Sequence, residues 1–202
     1  MSNTSLAHSN LSGVNLDNII VKETYFWKAD LSGQDFTVIS NRSSYGSKFF
    51  ESNLSHANFE DVDFAPKEII TNVFKNKAPL INSNNAYLIV NLLGEFDTIS
   101  IISKEVSGND LIVDYIWYNN LNTANLENAN FKNAHLWFVN FYSADLTNAN
   151  LSGADLSKAY LVDADLSYAN LEGANLEGAT LDNTIITGAN LKCIGHPICE
   201  ND

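Results

Sequence analysis

The stretch that decides the fold is ADLTN ANLSG ADLSK AYLVD ADLSY ANLEG ANLEG, residues 144–178. Read in fives, its first place is always Ala and its third always Leu. Counting outward, every fifth residue across positions 121–191 is large and apolar, from Leu121, Leu126 and Phe131 through Phe141 and Leu166 to Ile186 and Leu191. A period of five matches neither a helix nor a simple strand. It fits a coil with flat faces, each face turning one large and one small side chain inward.

Alternate residues of an extended segment share a side, so the first and third places point in. The second, fourth and fifth then meet water or build the corner. The fifth place holds Asn128, Asn133, Asn148, Gly153, Asp163, Gly173, Gly178, Asn183 and Gly188. These residue types tolerate the positive φ that a type II corner demands. Core pattern and corner chemistry therefore agree, and the regular Leu and Phe spacing excludes a disordered tract.

The unit A-(N/D)-L-x-x resembles the pentapeptide repeat family, and the likeness extends over most of the chain. That resemblance implies an all-β fold, a right-handed quadrilateral parallel β-helix with four pentapeptides per coil. Stacking at a lag of one coil gives four inward columns: Leu126, Leu146, Leu166, Ile186; Phe131, Leu151, Leu171, Leu191; Leu121, Phe141, Leu161, Leu181; and Leu136, Leu156, Leu176. The open ends of such a stack need caps.

The same phase begins the chain at Leu6, Leu11, Leu16, Val21, Phe26, Leu31 and Phe36, with partner places such as Thr4, Ser9, Thr24 and Gln34 that are more polar or bulkier than Ala. It then slips by three residues to Phe49, Leu54, Phe59 and Phe64, and the intervening 39–46 reads as a loop at one corner. Beyond Ala65 the Ala partner disappears. Pro66 followed by Ile69, Ile70, Val73 and Phe74 predicts a helix, with Lys75 and Lys77 at its end and Pro79 as its stop. Three strand-like runs follow at 87–93, 98–106 and 111–118. The expected organisation is N-terminal repeats at 4–66, a mixed helix/strand insert at 67–118 packed on the solenoid, C-terminal repeats at 119–192, and a cap or tail at 193–202.

The chain of 202 residues carries a net charge of −13, which argues against a nucleic-acid or anionic-membrane partner. The first ten residues lack the basic and apolar regions of a signal peptide, and the apolar run at 87–93 is too short to span a bilayer. A cytoplasmic location is the expectation. His8, His56, His135 and His196 are scattered without a nucleophile beside them, and His135 reads as a surface residue. Asp145, Asp155 and Asp165 read as corner hydrogen-bond acceptors rather than a cation site. Cys193-x-x-His196-x-x-Cys199 offers three metal ligands where a structural site needs four. The segment reads as a cap for the last coil, with two thiols in the cytosol or a Cys193–Cys199 disulfide outside it. No catalytic, metal or cofactor constellation assembles, so a non-enzymatic chain is expected.

The feature singled out for protein binding is aromatic. Trp117 and Tyr118 are followed one coil later by Trp137 and Phe138, all at fourth and fifth places. Four such rings outside a polar solenoid form a patch that monomers avoid exposing. The insert folding back would cover them; so would a partner protein or a second copy in a homodimer.

The function expected is thus a protein-binding or structural scaffold with an unidentified partner. The alternative comes from the quinolone-resistance branch of the family, whose members resemble B-form DNA and bind gyrase. Charge weighs against it: residues 116–192 hold eight acidic and three basic side chains. At the β spacing this is about one net charge per 3.6 Å, against one per ~1.7 Å in duplex DNA.

Overall fold

One repeat shows how the coil holds together. In the computed structural model, Leu151 N donates to Asn170 O in the following coil (2.8 Å) and Asn150 N to Ala129 O in the preceding one (2.9 Å). Gly153 N reaches Glu172 O (2.8 Å), and Ala149 N closes the previous corner on Leu146 O (2.9 Å). The remaining N–H, that of Ser152, is taken by the Asn150 side chain (Oδ1, 3.2 Å). Every backbone donor of the pentapeptide is thereby satisfied, although its face pairs only through isolated bridges.

The structure describes residues 4–22, 24–38, 44–45, 47–49, 51–64, 70–74, 99–107, 110–117 and 119–199. Parallel bridges such as Asn125↔Asp145↔Asp165 and Asn130↔Asn150↔Asn170 set a coil of twenty residues, hence four faces. We number the faces from the one carrying Leu121: Leu126 lies on the second, Phe131 on the third and Leu136 on the fourth. The columns expected from sequence are the observed ones, with Leu and Phe centres and their Ala partners buried in one continuous core. Leu181, Ile186 and Leu191, at the C-terminal end, are only partly covered.

Between Phe26 and Phe141 the core is aromatic. Phe26 stacks on Phe49 at 4.8 Å, Phe36 on Phe59 at 4.4 Å and Phe59 on Phe131 at 4.8 Å. Polar first places in this half are buried but partnered: Gln34 Nε2 donates to Leu11 O (2.7 Å) and Ser52 Oγ to Phe49 O.

On the third face the second-place side chains form an amide ladder across the coils. Asn58 Nδ2 donates to Asp35 Oδ1 (3.3 Å) and Asn130 to Asn58 (3.0 Å). Asn150 donates to Asn130 (3.1 Å), Asn170 to Asn150 (3.5 Å) and Asn190 to Asn170 (3.0 Å).

Two departures interrupt the twenty-residue spacing. Tyr25↔Lys48 and Asp30↔Asn53 lie 23 apart, three residues more than a regular coil. The surplus falls after a 3-10 turn at Phe36–Val38, and strands β1 (Val21–Lys22) and β2 (Ser44–Tyr45) pair in parallel across it. Asn53↔Asn125 and Asn58↔Asn130 lie 72 apart, so 52 extra residues leave the coil after Phe64. They include an antiparallel sheet of order β3-β5-β4, with β3 at Ile70–Phe74, β4 at Ile99–Ser107 and β5 at Asp110–Trp117.

The helix expected after Pro66 is not formed at Ile70–Phe74. That segment is a strand paired to β5 from Ile70↔Tyr115 to Phe74↔Leu111. Five residues are too few for the apolar spacing to discriminate, and β-branched Ile70, Thr71 and Val73 suit a strand once a partner edge is present. Lys75, Lys77, Pro79 and the run at 87–93 lie outside the described residues.

At the C-terminal end Ile194 adds a last bridge to Asn175, and a Cys193–Cys199 disulfide closes the following loop over the core. Gly195 sits at φ +83, where a Cβ would approach Glu177 N to 2.8 Å, so the loop lies tight against the coil beneath. Among the described residues no helix is long and apolar enough to cross a membrane.

Four outcomes follow. Leu166→Asp buries an unpaired charge and abolishes cooperative unfolding, and Ala154→Leu overpacks the interior, lowering stability by about 1–3 kcal/mol; denaturant midpoints for both measure this. Asn150→Ala strands the Ser152 N–H and cuts two ladder bonds, at a loss of about 1–3 kcal/mol in the same assay. Replacing both cysteines by Ser removes amide-exchange protection from residues 179–194 and leaves 139–158 protected, since each coil contacts only its neighbours.

Candidate functional site

The corner joining the fourth face to the first carries the chain's main irregularity. In two successive coils it consists of Trp137–Phe138 and Ser157–Lys158. In the coil below, Phe64 N donates to His135 O (2.8 Å), which puts Phe64 directly under Leu136. The 52 extra residues therefore leave at the corner beneath Trp137 and Phe138.

Asn119 closes that gap. It occupies a first place, where Ala is usual, and is fully buried. Its Nδ2 donates to Phe64 O (2.6 Å) on the departing side, and its Oδ1 accepts from Ser47 N (2.9 Å) one coil down. A buried amide with both ends satisfied ties exit and re-entry together more specifically than an apolar residue could. Sequence reading passed over Asn119; the signal was an amide in an Ala column right after the insert.

Above this root, Trp137 and Phe138 make an edge-to-face pair at 4.8 Å, both half-buried. Lys158 Nζ lies 5.9 Å from the Trp137 ring centre and 5.2 Å from that of Phe138, within cation–π reach. Phe138 holds φ at +61 in the fifth place. Trp117, expected beside this pair, ends β5 with its backbone opposite Ile99, so it belongs to the sheet rather than to a coil rung. Tyr118 lies outside the described residues.

An open groove of about 590 Å³ adjoins the pair on the fourth face, lined by Asn133, His135, Trp137, Gly153, Asp155 and Ser157. His135 stands in register between Asp63 and Asp155. Asp145, Asp155 and Asp165 each accept the N–H two residues on, at 3.0, 3.1 and 2.8 Å, which is the corner role expected of them. Among the described residues no group of His, Cys, Asp or Glu is arranged to hold a metal ion.

A family model described as pentapeptide repeats matches the chain in eight copies, over residues 1–37, 124–161 and 159–192, just over half its length. Among solved structures, a thylakoid-lumen pentapeptide repeat protein of Arabidopsis thaliana is 47% identical over 35% of this chain and 50% of its own, with a TM-score of 0.35. The chain thus spans about half the length of that protein. The pentapeptide repeat protein Rfr23 of the cyanobacterium Cyanothece 51142 is 17% identical over 95% of this chain and 91% of its own, TM-score 0.39. QnrB1, a plasmid-mediated fluoroquinolone resistance protein, is 17% identical over 93% and 72%, TM-score 0.38. No curated protein matches.

A test of the corner geometry follows. Phe138→Asn places a residue suited to positive φ at this corner and raises stability by about 0.5–1 kcal/mol, read from the denaturant midpoint.

Proposed function

The chain belongs to the pentapeptide repeat family, whose fold is a right-handed β-helix solenoid, and from this we propose that it is a non-enzymatic scaffold that binds a partner protein. The docking surface in this reading is the aromatic corner of Trp137 and Phe138, together with Trp117 and Tyr118 where the insert rejoins the coil. The observation that carries it is the edge-to-face pair of Trp137 and Phe138 at 4.8 Å, both only half-buried at one corner. A paired Trp and Phe on an otherwise polar corner is the composition of an interface centre.

Mimicry of DNA finds less support. Lys132 is paired to Glu60 at 2.9 Å, and Lys158 stands over the aromatic corner, so the acidic charge of the regular coils is interrupted. The Cys193–Cys199 disulfide favours an oxidising compartment over the cytoplasm expected from the N-terminal sequence.

Photo-crosslinking from position 138 in the full chain, in its native cells, tests the reading. The expected result is one saturable heterologous adduct that Trp137→Ser abolishes. An adduct of twice the chain's own mass identifies a homodimer interface and replaces the partner reading. No adduct, or one that Trp137→Ser leaves unchanged, overturns it.

A further inference from the structure

The groove beside Trp137 has a chemistry separate from the aromatic corner's edge. Its walls are the Trp137 ring on one corner and Asn133 with Gly153 on the other, and its floor is the fourth face at His135 and Asp155. Gly153 makes room for the Asn133 side chain on that corner: a Cβ there would meet Asn133 Oδ1 at 2.5 Å. At about 590 Å³ the groove is in the range of small-ligand sites.

The hydrogen-bond inventory of the lining narrows the ligand. Asp155 Oδ1 is used internally, accepting from Ser157 N (3.1 Å), Ser157 Oγ (2.6 Å) and Asn175 Nδ2 (3.3 Å), which leaves Oδ2 for a ligand. Among the described residues, neither the Asn133 amide nor the His135 imidazole has a hydrogen-bond partner. The groove therefore offers a carboxylate acceptor, an amide with both donor and acceptor ends, and an imidazole with one of each. A guanidinium or ammonium ligand has donors only, would leave the Asn133 and His135 N–H groups unmatched, and would meet Lys158 beside the ring. An anion would meet Asp155. Hydroxyl groups donate and accept at once, and a sugar ring also has an apolar face of C–H groups that lies flat on an indole.

We propose that this groove is a saccharide-binding site, taking a neutral mono- or disaccharide unit with its C–H face on Trp137 and its hydroxyls on Asn133, His135 and Asp155. The proposal does not depend on a partner protein docking at Phe138, because the groove lies on the fourth-face side of Trp137.

The test is an amide chemical-shift titration of the isotope-labelled full chain with cellobiose and maltose, and separately with arginine amide and inorganic phosphate. The expected result is saturable movement of the Asn133 side-chain amide, the Gly153 and Ser157 N–H and the Trp137 indole N–H with at least one disaccharide. Trp137→Ala should abolish it. Asp155→Asn, which keeps the acceptor for Ser157 N, should weaken it about tenfold, and Asp182→Asn on the corner between the first and second faces should leave it unchanged. Tighter binding of arginine amide or phosphate than of either sugar overturns the proposal, as does a sugar response that survives Trp137→Ala or the absence of any response. None of these results bears on the adduct at position 138, so the two readings stand or fall apart.

Discussion

The fold depends on one short hydrogen bond repeated around the coil, from the fourth-place N–H to the second-place side-chain oxygen. A corner made every five residues leaves that N–H facing outward, with no strand beside it to accept. Asn or Asp two residues earlier supplies the acceptor within the same turn, as Asn125 does for Glu127 and Asp165 for Ser167. With that donor satisfied, and the first-place N–H closing the preceding corner, the other three N–H groups link coils, and the coil-to-coil register follows. The inward columns are then a consequence of register, since a one-residue slip would turn every Leu outward.

This explains which parts of the molecule were legible in the sequence. The columns of Leu166 and Phe131 and the corner role of Asp155 follow from local chemistry that repeats, so periodicity reveals them. Fifth-place residues were only half legible. Asn148 and Gly173 advertise positive φ, but Lys158, Tyr168 and Phe138 adopt it too, at +56, +59 and +61, because the neighbouring rungs impose the corner whatever its residue. The strand at Ile70–Phe74 was misread because its conformation is set by β5, forty residues away in sequence. Asn119 was missed for a related reason: its two partners, Phe64 and Ser47, are 55 and 72 residues away. Chemistry that closes over long separations leaves no period.

The two interruptions fall at neighbouring corners. The three-residue surplus follows the third face and the 52-residue one follows the fourth, so the fourth face is bracketed by non-repetitive chain in the N-terminal half. Such placement conserves the solenoid while concentrating irregular surface on one side. The groove and the Trp137–Phe138 pair lie on that side, just past the point where the repeat resumes. A regular scaffold thus gains its distinctive chemistry from where its regularity is broken and from the first coil laid down afterwards.

The amide ladder of the third face has a polarity. Each Asn turns its NH₂ toward the earlier coil and its carbonyl toward the later one, from Asn190 back to Asn58. The side-chain dipoles therefore add head to tail along the solenoid axis, with the positive end at the N-terminal coils, as peptide dipoles add in a helix. At that end the row stops on the carboxylate of Asp35, which accepts the last N–H. An anion thus sits where the field of the row is positive, so the ladder terminates in the same sense as a helix begun by an acidic cap. Its far end, at Asn190, presents a carbonyl toward the C-terminal tip, so the solenoid has an electrical direction as well as a chain direction.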